Sequence, residues 1–351
     1  MKPGIPLLPA LAAGTLWLGA APPGPHVRAR EAVWIRPARR PGAEPVWGIQ
    51  GGIQIGLWPA PGPRGLFRIY APCIGVEPPQ VLNFVSVEPV VARRRGQSEL
   101  ERSAAAGQPG LEFAALDAPG RPAAEPRVPS AGRIARVDGV EALTFWVQVE
   151  RFANGARPLI QVVLRRDRPR EVAFRVHSGQ GGAPMDSCVL SATMGNYARL
   201  RRLWLRGEVV DSRRLWPAFT PDRLGFAPWR QWPRDRLLLI GGERLVAATG
   251  DESDPSAAAY EPAVAAHWRY QGRSATQYWR TPDAAGLVVR VNGRTTYWGS
   301  GGTIPGGVAY ENFELEAPFR AGQEFRFGIT PDPPEALGFP AEWGLAITNG
   351  Q

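Results

Sequence analysis

Apolar and polar residues alternate along most of this chain with a period of two, the repeat of a strand that buries one face. The cleanest run is 141–152, where Leu143, Phe145, Val147 and Val149 fall on one side. Runs 158–164 and 171–177 follow after Asn154-Gly155 and Asp167, so the three predict an antiparallel meander. Upstream, 48–58, 65–70 and 81–91 also predict strands. Proline donates nothing to a ladder, so Pro89 predicts that the last of these sits at an edge or ends there. Residues 132–137 and 189–194 add strands, and 237–250 predicts a hairpin turning at Gly241-Gly242. Residues 267–279 predict two strands around Gln271-Gly272, whereas 104–132 and 215–233 are weakly patterned. Helical spacing competes only at Leu200, Leu203 and Trp204, where a short helix or turn is expected before Gly207.

The stretch 287–330 holds three more alternating runs, separated by Asn292-Gly293, a glycine-rich loop at 299–307, and Arg320-Ala321-Gly322. Asn-Gly between alternating runs signals a hairpin, because both central residues of a type I′ turn need positive φ. A small meander is expected here. Together these runs predict an all-β fold: a large antiparallel two-sheet β-sandwich, jelly-roll or mutarotase-like, with few short helices. It is expected as one domain over 43–351, with 179–184 as the fallback point of division. The 41 glycines and 37 prolines fall mostly between the apolar runs, which suits many strands and tight turns.

The N-terminus has the features of an export signal over 1–21: Lys2, a mostly apolar stretch at 5–18, and small residues at 19–21. A Pro/Arg-rich leader at 22–42 follows, and a secreted, periplasmic or cell-envelope location is expected. No membrane span is expected once the signal is removed, because that apolar run is short of the roughly 20 residues a spanning helix needs. Cys73 and Cys188 permit one disulfide or two separate buried thiols. The net charge of +9 raises the question of nucleic acid. However, Lys2 is the only lysine among 41 basic residues, and no basic run is interleaved with aromatics as in a single-strand groove. Nucleic acid is therefore not expected as a partner, while an acidic polysaccharide fits the arginine content.

Absences narrow the chemistry. Zinc-protease, nucleophile-elbow, nucleotide-loop and dinucleotide motifs are missing, and His26, His177 and His267 are the only histidines. Asp251, Glu252 and Asp254 lack the length and turn glycine of a calcium loop, so neither metal nor cofactor is expected. The run 311–316 is more suggestive. Alternation places Asn312, Glu314 and Glu316 on one face and Glu311, Phe313 and Leu315 on the other. Carboxylates so spaced can flank a glycosidic bond as acid and as nucleophile or base, making Glu311, Glu314 and Glu316 catalytic candidates. His267 and Tyr278 form a second candidate pair, for β-elimination from a uronate. Trp298, Tyr297 and Trp279 offer flat faces for sugar rings. Arg280, Arg294, Asn312, Asn196 and Arg199 offer hydrogen bonds to hydroxyls or carboxylates.

An extracellular carbohydrate-active protein is the leading expectation, binding or acting on a polysaccharide or glycan as a hydrolase or a uronate lyase. A non-catalytic carbohydrate-binding or cell-surface module and a structural envelope protein are the alternatives. The reaction and the oligomeric state stay open.

Overall fold

Strands whose alternate residues are Val, Ile, Leu, Phe and Trp bury one face only by stacking on a second sheet. In the computed structural model two antiparallel sheets do this. The structure describes residues 34–37, 43–59, 62–75, 81–120, 130–193, 199–219, 225–251, 275–296, 303–304 and 306–348. These belong to one unit, Val33–Gln351. The expected signal segment lies wholly outside the described residues, as does most of the expected leader.

The first sheet orders its strands Trp34–Ile35, Val46–Ile49, Gln54–Gly56, Phe67–Tyr70, Asn83–Val91, Ser187–Thr193, Ala309–Pro318, Val288–Arg294 and Arg230–Pro233, with Arg94–Arg95 paired to Asn83–Val91. The second runs Glu208–Asp211, Arg202–Leu205, Glu243–Thr249, Thr276–Pro282, Gln323–Thr330, Glu171–Ser178, Pro158–Arg165, Val140–Val149 and Phe113–Leu116. Leu238–Ile240 and Arg133–Val137 pair to its flanks. Short helices at Ser212–Leu215 and Ala341–Thr348 are the α-helices among the described residues, and no helix there is long and apolar enough to cross a membrane.

Three connections fix how the sheets interleave. Glu171–Ser178 leads into Ser187–Thr193, Ala309–Pro318 into Gln323–Thr330, and Thr276–Pro282 into Val288–Arg294. Each passes from one sheet to the other, and the three keep the same lateral order in both. This is crossing of the jelly-roll kind. Between the sheets Trp47 stacks on Phe145 at 4.1 Å and Phe67 packs on Phe174 at 4.9 Å. Asn83 donates to Gln277 across the same gap at 2.7 Å. Cys188 lies in this interior and Cys73 packs against it, both as free thiols. Burial, with Glu88 nearby, pushes the Cys188 thiol up to about 12.

Several local expectations are revised by tertiary pairing. The predicted strand over 48–58 is a hairpin, Val46–Ile49 with Gln54–Gly56, turning through Gly51 at a φ of 70°. Asn83–Val91 is an inner strand. Pro89 is tolerated because Phe67–Tyr70 pairs only as far as Val85 on that side. The helical spacing at 200–204 is overridden, since Arg202–Leu205 pairs with Glu208–Asp211 on one side and Glu243–Thr249 on the other. Asn292-Gly293 makes no turn but lies inside Val288–Arg294. The C-terminal meander is also split, because Ala309–Pro318 and Gln323–Thr330 fall in different sheets. Residues 252–274 lie outside the described residues, so the two-strand expectation at 267–279 concerns them only in part.

Trp279 ties the layers together. It is fully buried, packs on Phe327 at 4.9 Å, and donates its indole N–H at 2.8 Å to the Phe313 carbonyl of the opposite sheet. Trp279→Ala is therefore expected to cost about 3–5 kcal/mol, the usual range for truncating a buried Trp or Phe. Urea unfolding checks it, and an unchanged midpoint would refute this role.

Candidate functional site

The outer face of the first sheet is polar where the inner face is apolar, and the same alternation makes both. Val85 and Val87, Leu190 and Ala192, and Phe313 and Leu315 enter the core. Their neighbours Ser86, Glu88, Ser191, Glu314 and Glu316 face away from it. Strand register aligns these into rows. Ser86, Ser191, Glu314 and Arg290 are successive partners across four strands, and Glu88, Val189, Glu316 and Val288 form the adjacent row.

A bulge adds one more carboxylate. Tyr310 and Phe313 both reach the core although three residues apart, which strict alternation forbids. The register with Val288–Arg294 steps from Val291↔Phe313 to Gly293↔Tyr310, so Glu311 and Asn312 together oppose Asn292. One extra residue on a strand sets two neighbours on one side. Glu311 therefore shares the outer face with Glu314, not the inner face with Phe313 and Leu315 as the sequence pattern predicts. Gly293 is needed at this point, because a Cβ there would sit 2.8 Å from Val308 and 2.9 Å from Trp216.

Arg95 crosses over these rows from its short hairpin. Its guanidinium pairs with Glu88 on one side and with Glu314 at 2.5 Å on the other. Ser86 donates to Glu88 at 2.7 Å, and the half-exposed Trp229 ring lies over Arg95 at 5.7 Å. Arg294 and Glu311 form a second pair at 3.2 Å, with side chains only 2% and 3% exposed. The half-exposed Phe226 ring covers Arg294 at 5.4 Å. Glu99, half-buried on the loop after the hairpin, completes the group.

Electrostatics separates these acids from ordinary surface carboxylates. Burial, then the charges of Glu311 and Glu88, push Glu99 up to about 7. Burial and Glu88 push Glu314 up to about 7 even though Arg95 pulls the other way. Burial also raises Glu311 against the opposing effect of Arg294. Of the two acids near 7, Glu99 has solvent contact, and a carboxylic acid that holds its proton near neutrality can donate it to a bound group. Comparison with protein-family models, curated proteins and solved structures finds no match.

The expected residues are thus only partly assembled. Glu311, Glu314, Asn312 and Arg294 share this face with Glu316, which is held by Arg290 at 2.7 Å and Ser187 at 2.8 Å. Asn312 accepts from Thr193 at 3.1 Å. Tyr278 and Arg280 sit instead on the outer face of the second sheet. There Tyr278 donates to Glu171 at 3.0 Å, with its ring against Gly328, and Arg280 pairs with Glu243 at 3.5 Å. Trp279 is core and offers no face to a ligand. Arg199 is buried, with a φ of 38°. His267, Tyr297, Trp298 and Asn196 lie outside the described residues. Among the described residues no group of three or more His, Cys, Asp or Glu side chains is arranged to hold a metal ion.

Glu88, Arg95, Glu99, Phe226 and Trp229 are absent from the sequence expectations. Glu88 alone had a signal, since with Ser86 it alternates with the apolar Val85 and Val87. The others sit in loops or a two-residue strand, where periodicity says nothing.

Glu314 keeps its proton to about pH 7 when folded, against an ordinary value of 4.5. Between those values the folded state binds more protons than the unfolded one, so stability falls as pH rises, by up to about 1.4 kcal/mol per unit for this group. Glu99 adds a smaller slope of the same sign because it is partly solvated. Urea midpoints should fall from pH 5 to pH 7 in the native protein. The Glu99→Gln/Glu314→Gln double variant should lose most of that slope, and a native slope of zero would overturn the assignment.

Proposed function

We propose that this is an exported carbohydrate-active protein that engages a polysaccharide at the outer face of the first sheet, with Glu99 as proton donor in a glycoside-hydrolase-type cleavage. The observation that carries the proposal is the clustering of Glu99 and Glu314, both held near 7, around arginines capped by half-exposed Trp229 and Phe226. Flat aromatic rings suit the C–H faces of sugar rings. An acid with a pKa near the working pH suits protonation of a leaving glycosidic oxygen. Glu99 is the member of the cluster with appreciable solvent contact. Burial, then the charges of Glu311 and Glu88, keep it protonated. Placing Tyr278 against Glu171 on the other sheet leaves the lyase variant without its tyrosine.

A non-catalytic binding module is favoured by one observation. Glu311 and Glu314 are 2% and 1% exposed and already engaged by arginine, so neither offers a free carboxylate for the second catalytic role. A panel of neutral and uronic polysaccharides separates the readings when assayed for new reducing ends, unsaturated uronate and retention. Under the hydrolase reading, Glu99→Gln lowers release of reducing ends by about 100-fold or more with a urea midpoint at pH 7 no lower than the native protein's. Retention without cleavage supports the module instead, and neither cleavage nor retention removes the saccharide proposal.

A further inference from the structure

The hairpin that brings Arg95 to the carboxylates turns through Ala92 and Arg93, at φ of 48° and 64°. Two-residue turns of this kind ordinarily use Gly, Asn or Asp, because other L side chains crowd the left-handed region. Pairing of Val91 with Arg94 and Val90 with Arg95 then places Arg93 and Arg94 at the hairpin tip, both exposed. The tip is clamped. Asp186 accepts from the Arg93 backbone N–H at 3.2 Å, and the Asn154 amide donates to the Pro89 and Arg94 carbonyls, each at 2.9 Å.

The loop that holds Asn154 also carries Arg151 and Arg157, whose guanidinium groups donate to the carbonyls of Gly181 and Gln180. Arg93, Arg94, Arg151 and Arg157 form no ion pair among the described residues. Asp186 in this corner is spent on a backbone N–H. On the outer face of the second sheet, by contrast, Arg165, Arg175 and Arg326 are each matched to carboxylates. The corner therefore presents unmatched guanidinium forks at a fixed tip, continuous through Arg95 with the carboxylate cluster.

Resting on the saccharide reading above, we infer that the polysaccharide is a polyuronate, whose chain runs over this arginine corner and pairs its carboxylates with Arg93 and Arg94. Guanidinium forks bind planar carboxylates bidentately. A single-stranded nucleic acid would want aromatic platforms between the cations, and the corner's Phe152 is buried.

Affinity electrophoresis in gels holding polygalacturonate or a neutral β-glucan tests the inference, on the native protein, Arg93→Ser/Arg94→Ser and Arg93→Lys/Arg94→Lys. Polygalacturonate should retard the native protein, less so at high salt. The serine variant should lose about tenfold or more in apparent affinity, and the lysine variant, which keeps charge but not the fork, should fall between. Retention on the neutral glucan should be the same for all three. Equal polygalacturonate retention by native and serine variants overturns the inference, as does stronger retardation by a single-stranded oligonucleotide. Retention on the neutral glucan alone removes only the uronate assignment, whereas retention on neither removes the saccharide reading beneath it.

Discussion

The hydrogen bond from the Trp279 indole to the Phe313 carbonyl joins the two sheets at the strand that carries the site. An indole N–H buried without a partner would cost about 1–3 kcal/mol, so the bond sets where Ala309–Pro318 sits over the second sheet. Phe313 is also the first residue after the bulge, where the phase of that strand changes. With Phe313 fixed inward, Glu314 must face out, and the extra residue then turns Glu311 out beside it. A sugar-facing role for Trp279 and a core role are mutually exclusive. The core role is the one that places the carboxylates.

Crowding acids onto one face has an electrostatic consequence. Glu88, Glu311 and Glu314 share two guanidinium groups, Arg95 and Arg294, and Glu99 adds a fourth acid that feels the charges of Glu311 and Glu88. Burial weakens solvation of every charge, so like-charged neighbours are felt strongly and protonation relieves them. Removing one partner from such a set leaves an uncompensated buried charge, which is far more costly than losing a surface pair. The second sheet shows the contrast. Its outer face carries Arg175, Glu324, Arg326, Glu243 and Arg280 as a connected lattice, with burial and nearby arginines leaving Glu324 lowered in net. That face has matched charges, whereas the first sheet has surplus carboxylate.

The strand content was legible because alternation is a local property. The meander of Val140–Val149, Pro158–Arg165 and Glu171–Ser178 and the Gly241-Gly242 hairpin could be placed from spacing and turn residues. So could the outward orientation of Glu314 and Glu316. Where turn chemistry misled, strand pairing had overruled it: Gly293 pairs with Tyr310 on one side and its carbonyl accepts from the Ala227 N–H on the other. Helical spacing at Leu200, Leu203 and Trp204 yielded for the same reason, because flanking strands satisfy the backbone there.

What the amino-acid order determined by itself is an all-β chain whose strands each have one apolar side, enough to require two sheets face to face. Which strands share a sheet, the phase change at Glu311, and the meeting of Arg95 with Glu314 were decided only by tertiary structure. Arg95 and Glu314 stand 219 residues apart. Periodicity is written into neighbouring residues, whereas a contact at that separation depends on the pairing of every strand between, which no local pattern encodes.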